Sequence, residues 1–408
     1  MNRVRALAVS FVMLAFGAAA TWAGQPPPPP AGGDVAQAIN QFAFDLYGQV
    51  RERPGNLFLS PYSIETALAM TWTGARGTTA DQMAQMLHLS APRDPQATSA
   101  AFAALREALA ADAKKGGVEL AIANRLWGQK GYEFLPEFLG LLKASYGAGL
   151  ETVDYERATE AARQTINAWV EKETRDKIKD LLKPDILTPL TRLVLTNAIY
   201  FKGEWAARFD KKLTREEDFF AAPGRTVKAP MMNATDEKYP YADCGTYQVL
   251  ELPYRGEDLS MVILLPKAKD GLAALGKSLS ADVLKAALAN LRKQKVEVAI
   301  PKFKTTAEFS LRPALEALGM TDAFSDKADL SGMDGKKDLC VSAVVHQAFV
   351  EVNEEGTEAA AATAVVISRM SVEAAPPVFR ADHPFLFLIR HRPSGAILFL
   401  GRLVNPTE

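Results

Sequence analysis

The stretch "NEEGTEAAAATAVVISRMS", residues 353–371, decides how this chain is read. Its local signals disagree. Four consecutive alanines, Ala359, Ala360, Ala361 and Ala362, favour a helix, whereas Val365, Val366 and Ile367 favour a strand. Gly356 and the β-branched trio both oppose a continuous helix. Taken as an extended strand, the segment sorts by parity. Thr357, Ala359, Ala361, Thr363, Val365 and Ile367 share one face, which is uncharged throughout. Glu358, Ala360, Ala362, Ala364, Val366 and Ser368 share the other, whose only charge is Glu358. Such a strand can be half-buried with Glu358 in water. A mobile, alanine-rich surface loop is the other reading.

The surroundings are those of a soluble globular protein. The chain has 408 residues, 48% hydrophobic and 23% charged, with a formal net charge of −1. That length fills one large core or two ordinary ones. Near-neutral charge gives no hint of nucleic acid or of a strongly anionic partner. The nearest thing to a basic cluster, "AKKGG" (113–117), reads as a solvated loop. Only Cys244 and Cys340 are present, which excludes a disulfide-stapled scaffold; two free thiols are the expectation, with a single disulfide between them left open.

The N-terminus has Arg3 and Arg5, an apolar run from Ala6 to about Ala20, and small residues around "TWA". This predicts a secretory signal over residues 1–23, since the run is short of the ~20 residues of a bilayer span. "QPPPPPAGGD" follows, so residues 24–33 are expected to be an extended tether. The mature chain is then secreted or periplasmic.

From residue 34 to 408 no repeat or composition break appears, which predicts one domain. Val35, Ala38, Ile39, Phe42 and Leu46 follow helical spacing. In "LSPYSIETALAMTWTGARG", Ser60 can cap a helix, Pro61 suits its first turn and Gly74 can end it. Further helices are expected near 79–88, 95–112, 134–146 and 159–175. Strands are expected at 118–128, 192–203, 247–266 and 296–304, with a hairpin at 385–403 turning on "RPSG". Helices mostly early and strands mostly late give an α+β fold with large sheets.

The common catalytic signatures are missing. There is no HExxH, Walker loop, GxGxxG or GxSxG, and His88, His346, His383 and His391 are dispersed. A secreted enzyme with a dispersed triad remains the rival of another class.

Seven segments, in order, resemble the serpin family of protease inhibitors. "EEGTEAAAAT" looks like the hinge of a serpin reactive-centre loop: Glu354, Glu355, Gly356, Thr357, Glu358, the four alanines and Thr363. "NLFLSPYSIETALAMTWTGARGTTADQM" (56–83), "INAWVEKETRDKIKDLL" (166–182), "LVLTNAIYFKGEWAARFD" (193–210), "VEVAIPKF" (296–303), "LGMTDAFSDKADLSGM" (318–333) and "HPFLFLIRHRPSGAILFLGRLVNP" (383–406) match as well. The resemblance implies about nine helices packed on three sheets, with an exposed reactive-centre loop over about 354–383.

It also implies a suicide-type inhibitor rather than an enzyme, acting on serine endopeptidases, with cysteine endopeptidases as the alternative. The protease attacks the loop and forms an acyl-enzyme; the loop then inserts into the main sheet and traps it as a 1:1 covalent complex. The inhibitor is otherwise monomeric, and polymerisation through its own loop is open to it. No metal, cofactor, nucleic acid or membrane is implied. Counting fourteen residues from the hinge glycine puts the reactive bond at Met370–Ser371, which suits an elastase- or chymotrypsin-like enzyme; Arg369–Met370, for a trypsin-like enzyme, stays open. Ser60, Ser63, Asn197 and His346 match the family's shutter, where the sheet parts. Lys302, Glu354 and Trp205 match the top of the sheet, the breach. A non-inhibitory carrier or chaperone with the same fold is the nearest rival.

Overall fold

The computed structural model describes residues 33–91, 93–147, 149–235, 237–357 and 375–408. The described residues form ten α-helices and three sheets, close to the expected nine helices. The first helix, α1 (Gly33–Val50), begins at the last residue expected in the tether and buries Ile39, Phe42 and Leu46. In α2 (Pro61–Trp72), the Ser60 hydroxyl accepts the Ser63 amide hydrogen, and Pro61 occupies the first turn. Then come α3 (Gly77–Met86), α4 (Pro95–Lys114), α5 (Pro136–Leu141) and α6 (Tyr155–Glu173). The later helices are short: Leu272–Ser278, Ala281–Ala289, Arg312–Ala317 and Ser331–Asp334.

The six-stranded sheet carries the site. Its strands are β1 (Val118–Gln129), β2 (Leu150–Val153), β3 (Leu193–Glu204), β4 (Phe303–Ser310), β5 (Val341–Asn353) and β6 (Gly356–Thr357), in the spatial order β4-β5-β6-β3-β1-β2. Alternation sorts their side chains. Val344, Ala348, Val350, Leu195, Ile199 and Phe201 enter the main core beneath. Trp127, Val194, Ala198, Tyr200, Val345 and Phe349 form a second core on the outer face, closed by Ile166 and Val170 of α6 and by Ile178, Leu181, Leu182 and Leu187 of the strap that follows it.

A seven-stranded sheet contains the expected hairpin, Phe385–His391 and Ile397–Leu403, beside Tyr247–Pro253 and Leu259–Pro266. The segment expected at 296–304 divides into Glu297–Pro301, in a four-stranded sheet, and β4, in the large one. Pro301 and Lys302 mark the crossing. The four-stranded sheet ends on Val378–Arg380, which runs parallel to Glu297–Pro301. Cys244 and Cys340 are both free, half-buried thiols.

Candidate functional site

The β5–β3 seam is where the large sheet departs from uniform pairing. Over most of its length β5 lies directly against β3, parallel, from Val344↔Leu195 to Phe349↔Tyr200. Above that rung the two strands diverge and β6 stands between them, antiparallel to both. Thr357 faces Val352 and Gly203, and Gly356 faces Asn353 and Glu204. The offset between β5 and β3 is the same above and below the fork, so the seam opens sideways without slipping.

Gly356 is required at the fork. Its φ is +150°, and a Cβ there would sit 2.0 Å from the Gly203 carbonyl oxygen, a backbone atom that cannot swing aside. Thr357 is fully buried, and its hydroxyl is 2.8 Å from that of Tyr254. The Tyr254 ring stacks on Trp205 at 4.7 Å, within 8° of parallel. The hinge therefore does not begin as an exposed loop. Glu354, Glu355, Gly356 and Thr357 are all buried, which corrects the expectation for this end of the 354–383 segment. The physical reason is pairing: two strand edges lie on either side, and a turn of two residues brings the backbone between them.

Side chains pin that turn. Lys302 Nζ is 2.9 Å from Glu354 Oε2, and the Thr214 hydroxyl donates to Glu354 Oε1 at 2.9 Å. Burial alone would raise the Glu354 pKa, but the bond from Lys302, with the Thr214 hydroxyl and a backbone bond, outweighs it and leaves it lowered. Lys211 reaches Glu355 Oε1 at 2.5 Å. The Trp205 ring N–H donates to the Asn353 carbonyl at 2.9 Å, and its backbone N–H donates to that of Glu355 at 2.9 Å.

Lower on the inner face, a polar cluster spans the seam. His346 of β5 faces Asn197 of β3. The Ser60 amide donates to His346 Nε2 at 3.1 Å, so the ring proton resides on Nδ1, which donates to Asn197 Oδ1. Asn197 Nδ2 donates to Ser63 Oγ at 2.7 Å and to Asn124 Oδ1 at 2.5 Å. Asn124 Nδ2 donates to the Ser63 carbonyl at 3.0 Å, and the Ser60 hydroxyl to the Leu398 carbonyl at 2.6 Å. Burial pushes the His346 pKa down to about 3, against the opposing bond to Asn197, so the ring is neutral. A network closed at every member is rigid when whole and costly to split.

Comparison with known proteins now decides the family. The serpin (serine protease inhibitor) family model matches residues 37–406. The chain is a member of the serpin family. It is 44% identical to the leukocyte elastase inhibitor of Bos taurus, over 91% of this chain and 99% of that one. It is also 44% identical to an uncharacterized serpin-like protein of Thermococcus kodakarensis, over 92% and 86% of the two chains. Among solved structures, uncleaved ovalbumin superposes with a TM-score of 0.82 at 32% identity, over 91% of this chain and all (100%) of that one. Human thyroxine-binding globulin, complexed with its hormone, gives 0.84 at 32% identity, over 93% and 100%. The α+β architecture is the serpin fold.

Two of the sequence-predicted groups are brought together in this serpin. Ser60, Ser63, Asn197 and His346 form one hydrogen-bonded unit, and Lys302, Glu354 and Trp205 meet at the hinge turn. Glu358, Ala359, Ala360, Ala361, Ala362, Thr363, Arg369, Met370 and Ser371 lie outside the described residues, as do the signal (1–23) and most of the tether. Sequence reasoning missed Asn124, Tyr254, Thr214 and Lys211. Asn124 carried a signal: it is the one amide in the apolar run "VELAIANRLWG" and sits on the same face as Leu126.

Proposed function

We propose that this serpin is a suicide-type inhibitor of serine endopeptidases that works by completing the strand β6 begins. The supporting observation is the fork: Gly356 and Thr357 already stand between β5 and β3 in strand register. Extending that register downward sets Ala359 opposite Val350 and Phe201, Ala361 opposite Ala348 and Ile199, and Thr363 between His346 and Asn197. Ile367 reaches Leu193 at the foot of β3. Met370 then lies just beyond the sheet, where a protease attached to its carbonyl is carried the sheet's full length. Residues 357–370 span about 45 Å as a strand at roughly 3.3 Å each.

Energetics fit this course. An inserted strand widens the seam from about 4.8 to about 9.6 Å, so the His346–Asn197 bond must part. That one bond is worth about 0.5–1.5 kcal/mol net, whereas each inserted residue gains backbone pairing on both sides. Loop insertion of this kind is the known behaviour of serpins; the assignment of residues is what this chain adds. The face with Thr357, Ala359, Ala361 and Thr363 turns inward and carries no charge; Glu358 turns outward.

In this proposal the target is an elastase- or chymotrypsin-like enzyme that cuts after Met370 and is held there as a 1:1 acyl complex, and the reaction takes place outside the cytoplasm after removal of residues 1–23. The relatives named as leukocyte elastase inhibitors support the target class. The test mixes mature protein with elastase-, chymotrypsin- and trypsin-like enzymes on denaturing gels. A band at the summed mass is expected with the first two. Cleavage with no such band overturns inhibition and favours a carrier role, and sequencing the released C-terminal peptide separates a cut after Met370 from one after Arg369.

A further inference from the structure

On the outer face, the last rung closed beneath the fork is Phe349↔Tyr200, with ring centroids 6.2 Å apart. The strap after α6 crosses this rung. Its Lys177 Nζ lies 5.7 Å from the Tyr200 ring centroid and 6.0 Å from that of Phe349, and Lys304 Nζ approaches Phe349 from β4 at 5.2 Å. We propose that Lys177, closing over the Tyr200–Phe349 pair, is a positioning residue that sets how fast the seam opens once the hinge is in place.

The rung's position gives it this role. In the register extended from β6, the next outward-facing residue after Glu358 is Ala360, and it falls between Tyr200 and Phe349. Insertion must part the two rings and lift the ammonium group that bridges them. The ammonium favours the faces of both rings while they are adjacent and loses one when they separate.

The strap is also built to lift. Of the six non-glycine residues with left-handed backbone among the described residues, four are in it: Arg175, Asp176, Asp180 and Asp185. Arg175 is held against its preference by its surroundings, whereas the three aspartates tolerate this region. The ion pair from Arg175 to Glu119 of β1, 2.6 Å, and the buried Ile178, Leu181 and Leu182 supply that hold. On the same outward parity as Val345 and Phe349, Gln347 Oε1 of β5 is buried with no hydrogen-bond partner among the described residues. A cover that holds Arg175 against its preference is displaced more cheaply than one with relaxed backbone throughout. Lys177 itself is exposed, whereas Ile178, Leu181 and Leu182 of the strap are buried.

This inference rests on the insertion reading, and one experiment separates the two. Full-length uncleaved protein is incubated with a synthetic peptide of residues 358–367, EAAAATAVVI, and uptake is followed on native gels. Wild type, Lys177→Met and Lys177→Arg are compared. Lys177→Met is expected to take up the peptide about two- to fivefold faster, the loss of one cation–π contact of ordinary strength, and Lys177→Arg to match wild type. Uptake by Lys177→Met at the wild-type rate, or slower, overturns the role of Lys177 and leaves insertion standing. No uptake by any of the three overturns the insertion reading and this inference with it.

Discussion

The Thr357 hydroxyl lies 2.8 Å from the Tyr254 hydroxyl, tying the first inserted residue of the hinge to a ring that is stacked on Trp205. Both residues are fully buried, and burial raises the phenol pKa, so the bond is between neutral groups. Replacing Tyr254 by Phe deletes it at a cost of about 1 kcal/mol to hinge docking. Amide exchange in the peptide holding Gly356 and Thr357 is then expected to quicken about fivefold. Unchanged exchange would show that strand pairing alone holds β6. Thr357→Arg goes further, because a guanidinium has no partner in that site, and the variant is expected to be cleaved as a substrate with little covalent complex formed.

The Lys302–Glu354 pair, at 2.9 Å, bounds the opening of the sheet from above. Glu354→Lys sets two cations face to face and strips Thr214 of its acceptor. Lys302 is partly exposed, so water tempers the penalty to about 1–3 kcal/mol. The freed hinge leaves the β5–β3 fork open to the loop of another copy. Native gels after mild heating should show a ladder of oligomers for Glu354→Lys and a single band for wild type. A single band for both removes Glu354 from the role of latch.

Much of this architecture is legible in the sequence, and the reasons for the rest are physical. The strands at 118–128 and 192–203 announce themselves because β-branched and aromatic residues crowd a sheet covered on both faces. Parity puts Thr357 on the uncharged face of the hinge, and Thr357 is buried. What was illegible is the strand Gly356–Thr357 itself. Glycine has no strand preference, and the pairing comes from Gly203 and Glu204, about 150 positions away. Asn124 stands out as an amide in an apolar run, but its role depends on Asn197, reached only through the β1–β3 register. The strand pair Arg215–Ala222 and Arg225–Ala234 has charges on most of its outer positions, so no apolar alternation marks it.

Acid should loosen the seam through His346. Its folded pKa, about 3, lies below the 6.5 of an unfolded histidine, so between those values the unfolded chain binds a proton that the native one does not. Stability contributed by the neutral ring is whole above pH 6.5 and is lost as pH falls, by up to about 1.4 kcal/mol per unit. Glu354, lowered from 4.5, adds a loss of the same sign only below that value. Buried Glu65, whose carboxyl is raised well above 4.5, acts in the opposite sense over pH 6.5 to 5, so the histidine is read as the difference between wild type and a variant of it. Melting temperature is expected to fall across that interval more steeply for wild type than for His346→Gln, which keeps an acceptor for the Ser60 amide and a donor to Asn197. Parallel slopes would show that His346 is charged or exposed in the native protein.

The register of the inserted strand can be tested at a single pair. With β6 fixing the offset, Ala361 comes to lie opposite Ala348, on the inward face, when the loop enters. Directly opposed residues in an antiparallel pair have Cα atoms about 4.5–5.5 Å apart, inside the range a disulfide spans. Ala361→Cys with Ala348→Cys should therefore crosslink only after cleavage, detected by mapping peptides joined between the two sites, with Cys244 and Cys340 replaced by serine. A one-residue slip would turn the introduced thiols to opposite faces of the sheet. Crosslinking in the uncleaved protein would mean that the seam is already filled below Thr357, and its absence after cleavage would mean that the loop does not follow the line set by Gly356 and Thr357.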